Sequence, residues 1–236
     1  MKKVKNNIVK NIITNMVCNL KNKKEKILYL YLEISALIFV PTIVYLAWLL
    51  LYCAIMDKSY VSYVEYSSLK ELLLQYSIPF TICFGLFPLL FMVLIKKKKI
   101  NELNLTIKNN KWYYFTLIVS LLVASFVFFL ASKNTDMNTF REVITHNFFV
   151  SLTEELLTRG IILNELLGVF NPFTSIVLDG LVFGFILHCG GDMTINTLVR
   201  FPIGLILSFI SYKTKSIHSC IILHWTYNVG VELLGL

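Results

Sequence analysis

Two adjacent glutamates, Glu154 and Glu155, precede Arg159 in one hydrophobic run, and two later hydrophobic runs carry His188 and the pair His224 and Asn228. Carboxylates and imidazoles are the side chains of general acid–base hydrolysis, in which a positioned group takes a proton from an attacking water. An imidazole and a carboxamide four residues apart share one helix face, an arrangement suited to stabilising a negative oxygen. An ionisable group in lipid is costly, so these groups in three apolar segments point to a polar site assembled inside a bilayer.

Neighbouring helix residues diverge by about 100°, so Glu154 and Glu155 cannot share one direction, whereas Glu155 and Arg159 stack on one face. A salt bridge between Glu155 and Arg159 neutralises both and leaves Glu154 as the unpaired, desolvated carboxylate, the form a base or acid needs near neutrality. His188 then becomes the partner of Glu154 in holding a water. Structural readings stand beside these. Glu155 and Arg159 can be only a buried ion pair, Glu154 a polar group that steadies its helix, and His188, beside Cys189, Gly190 and Gly191, a turn residue at the membrane interface. His146 and His218 fall at span ends, and Asp179 and Arg200 either pair across helices or snorkel.

The elements that must position these groups are membrane spans. The chain is 56% hydrophobic and 15% charged, with a mean hydropathy of +0.69, well to the apolar side of a soluble domain. Ile34 to Met56, Leu72 to Ile95 and Trp112 to Ser132 carry no charge and are each long enough to cross a hydrocarbon core. Four interrupted stretches follow: Val143 to Leu163, Phe173 to Cys189, Thr194 to Tyr212 and Ile217 to Leu236. The expected fold is an all-α polytopic membrane helical bundle with about seven transmembrane helices. Residues 1–26 form a basic cytoplasmic tail, either an amphipathic surface helix or disordered, 27–142 the N-terminal spans, and 143–236 a catalytic helical core. Gly180 with Gly184, and Gly204 with Ser208, have the small-residue spacing that lets helices approach closely, and are read as packing.

A net charge of +8 arises from lysines beside the spans, at 2–26 and 96–111. These read as topology signals and anionic-lipid contacts, not as a nucleic-acid surface. The positive-inside rule puts the N-terminus, the Lys96 to Lys111 loop, Lys213 and Lys215 in the cytoplasm, and the loops at 57–71 and 133–142 outside. Seven crossings make the C-terminus external. At 1.5 Å per residue, Glu154 lies about 14 Å and His224 about 10 Å from the inner ends of their helices, with His188 less well placed at about 22 Å. The expected site opens to the cytoplasm. Five scattered cysteines without a CxxC pair argue against a disulfide framework, and the polar first 26 residues without a cleavage site argue for a retained first span. A proton-relay transporter is disfavoured because no repeat relates the halves.

The run Glu154-Glu155-Leu156-Leu157-Thr158-Arg159 matches the EExxxR motif, and His224-Trp225-Thr226-Tyr227-Asn228 the HxxxN motif, of the CPBP family of CAAX protease and bacteriocin-processing proteins, also called Abi. The stretch from Gly204 through Tyr212, Thr214, Ser216 and Ile217 resembles that family's run between motifs. The resemblance covers roughly residues 143–230. It departs at the second motif, usually FxxxH: Gly184 stands four before His188, and Phe183 is one residue early. One inserted residue rotates His188 by about 100° relative to Phe183 unless a local bulge absorbs it.

The resemblance implies a glutamate-type intramembrane endopeptidase. Glu154 would be the base and His188 its partner in activating water, with His224 and Asn228 stabilising the oxyanion and Glu155 and Arg159 structural or substrate-orienting. The expected partners are membrane lipid, a peptide or protein substrate and other membrane proteins, in a setting such as bacteriocin or pheromone processing or self-immunity. No cofactor is expected, although Glu154, His188 and His224 also make up the two-His-one-Glu set of a catalytic zinc. The alternative is a catalytically inactive membrane scaffold, for which the shifted second motif speaks.

Overall fold

The computed structural model describes residues 2–57 and 68–235, except for the side chains of 2–21. The part of the expected external loop at 58–67 and the side chains of the tail lysines up to Lys21 therefore lie outside the described residues. Seven long helices make up the described chain: α1 (Lys2–Ile55), α2 (Leu69–Ile95), α3 (Lys111–Asn134), α4 (137–167), α5 (Pro172–Ile186), α6 (Met193–Thr214) and α7 (His218–Leu234). The chain divides into two compact units, Met1–Ala36 and Leu37–Leu236. Helix α1 runs unbroken from Lys2 to Ile55.

Helices α2 to α6 each start where a side chain satisfies free N–H groups of the first turn. Ser68 caps α2, Asn110 caps α3, Asp136 caps α4, Asn171 caps α5 and Asp192 caps α6. Within α2, widened π turns alternate with α turns around Pro79 and Pro88, which cannot donate to the preceding turn. Gln75, whose carbonyl Pro79 leaves without its usual donor, instead accepts from Trp48 Nε1 at 3.3 Å.

Among the described residues, four helices are long and apolar enough to cross a membrane: Asn22–Ile55, Leu69–Ile95, Lys111–Asn134 and Met193–Thr214. Helix α5 is a shorter apolar helix, and α4 and α7 carry the polar residues of the site. The outer faces are greasy. On α3, Leu122 is 66% and Phe126 63% exposed, the pattern of a surface solvated by lipid and not by water. The molecule is an all-α membrane helical bundle, as its composition predicts.

The bundle has two distinct ends. At one, the loop after α2 is tied to the ends of α4 and α6: Lys98 pairs with Glu165 at 2.8 Å, Asn110 Nδ2 donates to the carbonyls of Lys213 and Thr214, and the Ile217 amide donates to the Asn104 carbonyl. At the other, α7 packs between α3 and α4 around Ala131, Val143 and Val229, Trp225 Nε1 donates to the Ile144 carbonyl at 2.8 Å, and Asn147 Nδ2 donates to Glu232 at 2.7 Å. Helices α5 and α6 cross with almost no separation: a Cβ on Gly204 would lie 3.1 Å from the Gly180 Cα, and one on Gly184 3.0 Å from the Phe201 Cα. The expected packing role of these glycines is what the structure gives them.

Candidate active site

Helix α4 delivers Glu154 and Glu155 at the last turn of its regular α-helical part, and a π segment, Leu156–Ile162, follows at once. Arg159 lies within that segment and is fully buried. Its Nη1 donates to Glu155 Oε1 at 2.9 Å and to Thr158 Oγ1 at 2.8 Å, and its Nη2 donates to the Gly204 carbonyl at 3.1 Å. The i, i+4 pair expected from spacing is present.

A second carboxylate meets the same guanidinium. Asp179 Oδ2 lies 3.4 Å from Arg159 Nε and accepts from Ser208 Oγ at 2.6 Å. Asp179 is therefore a partner of Arg159 and not of Arg200, whose Nη1 donates to Asn196 Oδ1 at 2.6 Å. Arg159, Glu155, Asp179 and Ser208 all have zero exposure, so one cation held by two carboxylates locks α4, α5 and α6 together at their common core. Removing one member would leave an uncompensated buried charge.

Glu155 has a second partner that sequence spacing did not reveal. His224 Nδ1 lies 2.9 Å from Glu155 Oε1. Glu155 Oε1 already accepts from Arg159 and accepts here too, so Nδ1 carries the proton and donates, and the His224 Nε2 is turned toward Glu154. Glu154 Oε2 stands 3.6 Å from His188 Nε2 and 3.8 Å from His224 Nε2, buried and without a hydrogen-bond partner of its own. Those gaps exceed a direct hydrogen bond but allow one oxygen atom to sit within bonding distance of the carboxylate and an imidazole. The structure thus brings Glu154 of α4, His188 of the turn after α5 and His224 of α7 to one point.

The extra residue before His188 is absorbed by a π turn. Residues Val182–Ile186 form that turn, with the Leu187 amide donating to the Val182 carbonyl at 3.0 Å. One additional residue per turn returns His188 to the face of Phe183 despite the five-residue spacing. The Phe183 ring stands edge-on to both imidazoles, with centroids 5.3 Å from His188 and 5.3 Å from His224, and its face receives Arg159 with Cζ 4.4 Å from the centroid. The backbone of His188 is anchored too, its carbonyl accepting from Asn196 Nδ2 at 2.9 Å and from the Gly191 amide at 2.9 Å. Phe183 and Asn196 were missed as positioning residues; the Phe183-Gly184 pair before His188 was the available signal for the first, and Asn196 carried none.

Asn228 follows His224 on the same face of α7, with Nδ2 at 3.4 Å from Ser151 Oγ. A cavity of about 380 Å³ has Glu154, His188, His224, Asn228, Arg200 and Glu232 on its wall. Its residues extend from Glu154 toward the start of α4 and from His224 toward the end of α7, away from the lysine-bearing loop. The expectation of a site open at the lysine end is thus corrected; on that side lies the buried Arg159 layer. His218 is at a helix start as expected, where its Nδ1 contacts Tyr113 Oη and Ser216 Oγ, and His146 bonds Ser77 Oγ at 2.9 Å.

Glu154, His188 and His224 present one oxygen and two nitrogens to a common point, yet among the described residues no group of three or more His, Cys, Asp or Glu side chains is arranged to hold a metal ion. Residues 136–230 match the family described as Type II CAAX prenyl endopeptidase Rce1-like, a match consistent with the CPBP resemblance of the same segment. No curated protein and no solved structure gives a significant match to the chain.

Proposed function

With residues 136–230 matching the CAAX prenyl endopeptidase family, we propose that this membrane protein is a glutamate-type intramembrane endopeptidase, which hydrolyses a membrane-associated peptide or protein without a metal. The observation that carries the reading is the buried Glu154 Oε2, unpartnered between two imidazole Nε2 atoms at 3.6 and 3.8 Å. Water held by Glu154 and His188 gives its proton to Glu154 as its oxygen attacks the scissile carbonyl carbon. The carbonyl oxygen takes up negative charge, which Asn228 Nδ2 and His224 stabilise, the imidazole acting as a cation that carries a proton on Nε2 in addition to the one Glu155 holds on Nδ1. Collapse of the tetrahedral intermediate breaks the C–N bond, and Glu154 passes the proton to the leaving amine. Glu155 and Arg159 position His224.

The lysine-bearing end is cytoplasmic in this reading, and the chain is multi-pass in the cell membrane. Processing of a bacteriocin or pheromone precursor, or self-immunity to one, is the setting the family resemblance suggests. The scaffold alternative drew on the shifted second motif, and the π turn at Val182–Ile186 takes that support away.

Glu154→Gln, nearly isosteric, tests the reading. Purified in detergent, wild type is expected to cleave members of a quenched peptide library with or without chelator, and Glu154→Gln to lose cleavage while keeping its membrane abundance. Unchanged cleavage by Glu154→Gln would refute the role of this carboxylate, and loss on chelation would move the chemistry to a metal.

A further inference from the structure

We infer that the catalytic cavity is entered from the external face of the membrane, and that its substrate is a peptide segment already translocated to that side. The substrate half of this inference rests on the proteolytic reading above; the orientation does not.

Two independent asymmetries support it. The first is charge. The loop after α2 carries Lys96 to Lys99, Lys108 and Lys111, and the turn after α6 carries Lys213 and Lys215. These lie at one end of the bundle, because Asn110 Nδ2 donates to the carbonyls of Lys213 and Thr214 and the Ile217 amide to the Asn104 carbonyl. The opposite end mixes signs, with Lys133, Asp136, Arg141, Glu142 and Asp192. Lysine excess in short loops marks the cytoplasmic side.

The second asymmetry is closure. From Glu154 toward the lysine end the way is sealed, first by Glu155, Arg159, Asp179 and Ser208 at zero exposure, then by Leu103 at 1% and Ile217 at 2%. Toward the opposite end the cavity wall continues through Asn147 on α4, Arg200 on α6, and Asn228 and Glu232 on α7. Each of these residues lies between the Glu154 level and that end of its helix. Arg200, fixed by Asn196, and Glu232, fixed by Asn147, give the mouth one charge of each sign, a pair able to hold the backbone or side chains of an extended peptide arriving from water.

Cys189 provides the probe. It is exposed, next to His188, whereas Cys53, Cys83 and Cys220 are buried. In right-side-out membrane vesicles, a membrane-impermeant maleimide applied to a Cys18→Ser variant should label Cys189 as fully before permeabilisation as after it. In a Cys18→Ser, Cys189→Ser background, Lys108→Cys should be labelled only after permeabilisation. The reverse pattern, or labelling of Cys189 only after permeabilisation, would overturn the orientation. Quenched peptide added outside the same vesicles should be cut by wild type and not by Glu154→Gln. External labelling of Cys189 without Glu154-dependent cleavage in vesicles or detergent would overturn the peptide substrate and the proteolytic reading with it, while the orientation stood.

Discussion

His224 Nδ1 and Arg159 Nη1 converge on one oxygen, Oε1 of Glu155, each at 2.9 Å. The second glutamate of the pair therefore sets the tautomer of an imidazole that faces the first. Two neighbouring carboxylates on one helix divide their labour by direction: Glu155 turns into the sealed core and Glu154 toward the cavity.

Replacing Glu155 by Gln keeps the size and removes the charge. An amide whose oxygen stays with Arg159 offers its NH₂ to His224 Nδ1, so Nδ1 must accept instead of donate and the imidazole loses the carboxylate that supports its cationic, doubly protonated form at the oxyanion. By analogy with other carboxylate-oriented histidines, kcat is expected to fall by about 10²- to 10⁴-fold with KM little changed. A peptide-cleavage assay that separates the two constants checks this; a rise in KM alone would argue for a substrate contact instead.

Arg159→Met leaves Glu155 and Asp179 buried without their cation. The expected loss is about 3–5 kcal/mol of stability, visible as a lower thermal unfolding midpoint in detergent and poor accumulation in the membrane. Combining it with Asp179→Asn removes one of the stranded charges and should recover part of that loss. Wild-type stability in the single variant would show that the network contributes little.

Deletion of Ile186, which is 44% exposed on the lipid side, should be tolerated. Closing the π turn to a regular α turn brings Phe183 and the histidine to a four-residue spacing on one face, so activity is expected to stay within about ten-fold of wild type. Deletion of Leu181, ahead of the turn, leaves the π turn between Phe183 and His188 but rotates Asp179 by about 100° relative to both, and should abolish accumulation or cleavage. Equal loss in the two deletions would refute the bulge as the device that restores register.

Gly204→Val tests the close crossing of α5 and α6. A Cβ there would lie 3.1 Å from the Gly180 Cα and 3.2 Å from the Phe183 ring, so the helices must separate and draw the Gly204 carbonyl from Arg159. The expected cost is about 1–3 kcal/mol, read as a thermal shift, together with reduced cleavage. Leu205→Val, beside it, changes no backbone contact and should show neither loss to the same degree.

Local patterns made much of this legible in advance. Hydropathy over a single segment is enough to define a span, and spacing of four along a helix is enough to pair Glu155 with Arg159 or to align His224 with Asn228. The departure at Phe183 could be stated from the sequence as a one-residue insertion. Whether it became a rotation or a bulge could not, because the same residues accept α or π hydrogen bonding and only the contacts of Phe183 with His188, His224 and Arg159 choose between them.

The chain itself determined that it enters a membrane, that it is helical, and which polar groups would be stranded in lipid unless gathered; these follow from transfer energies and helical periodicity, which act over neighbouring residues. The tertiary structure alone decided that Asp179 serves Arg159, that Glu155 holds His224, and that the cavity opens away from the lysines. Those outcomes depend on which helices lie side by side and at what depth, and no spacing within one helix encodes the distance to another.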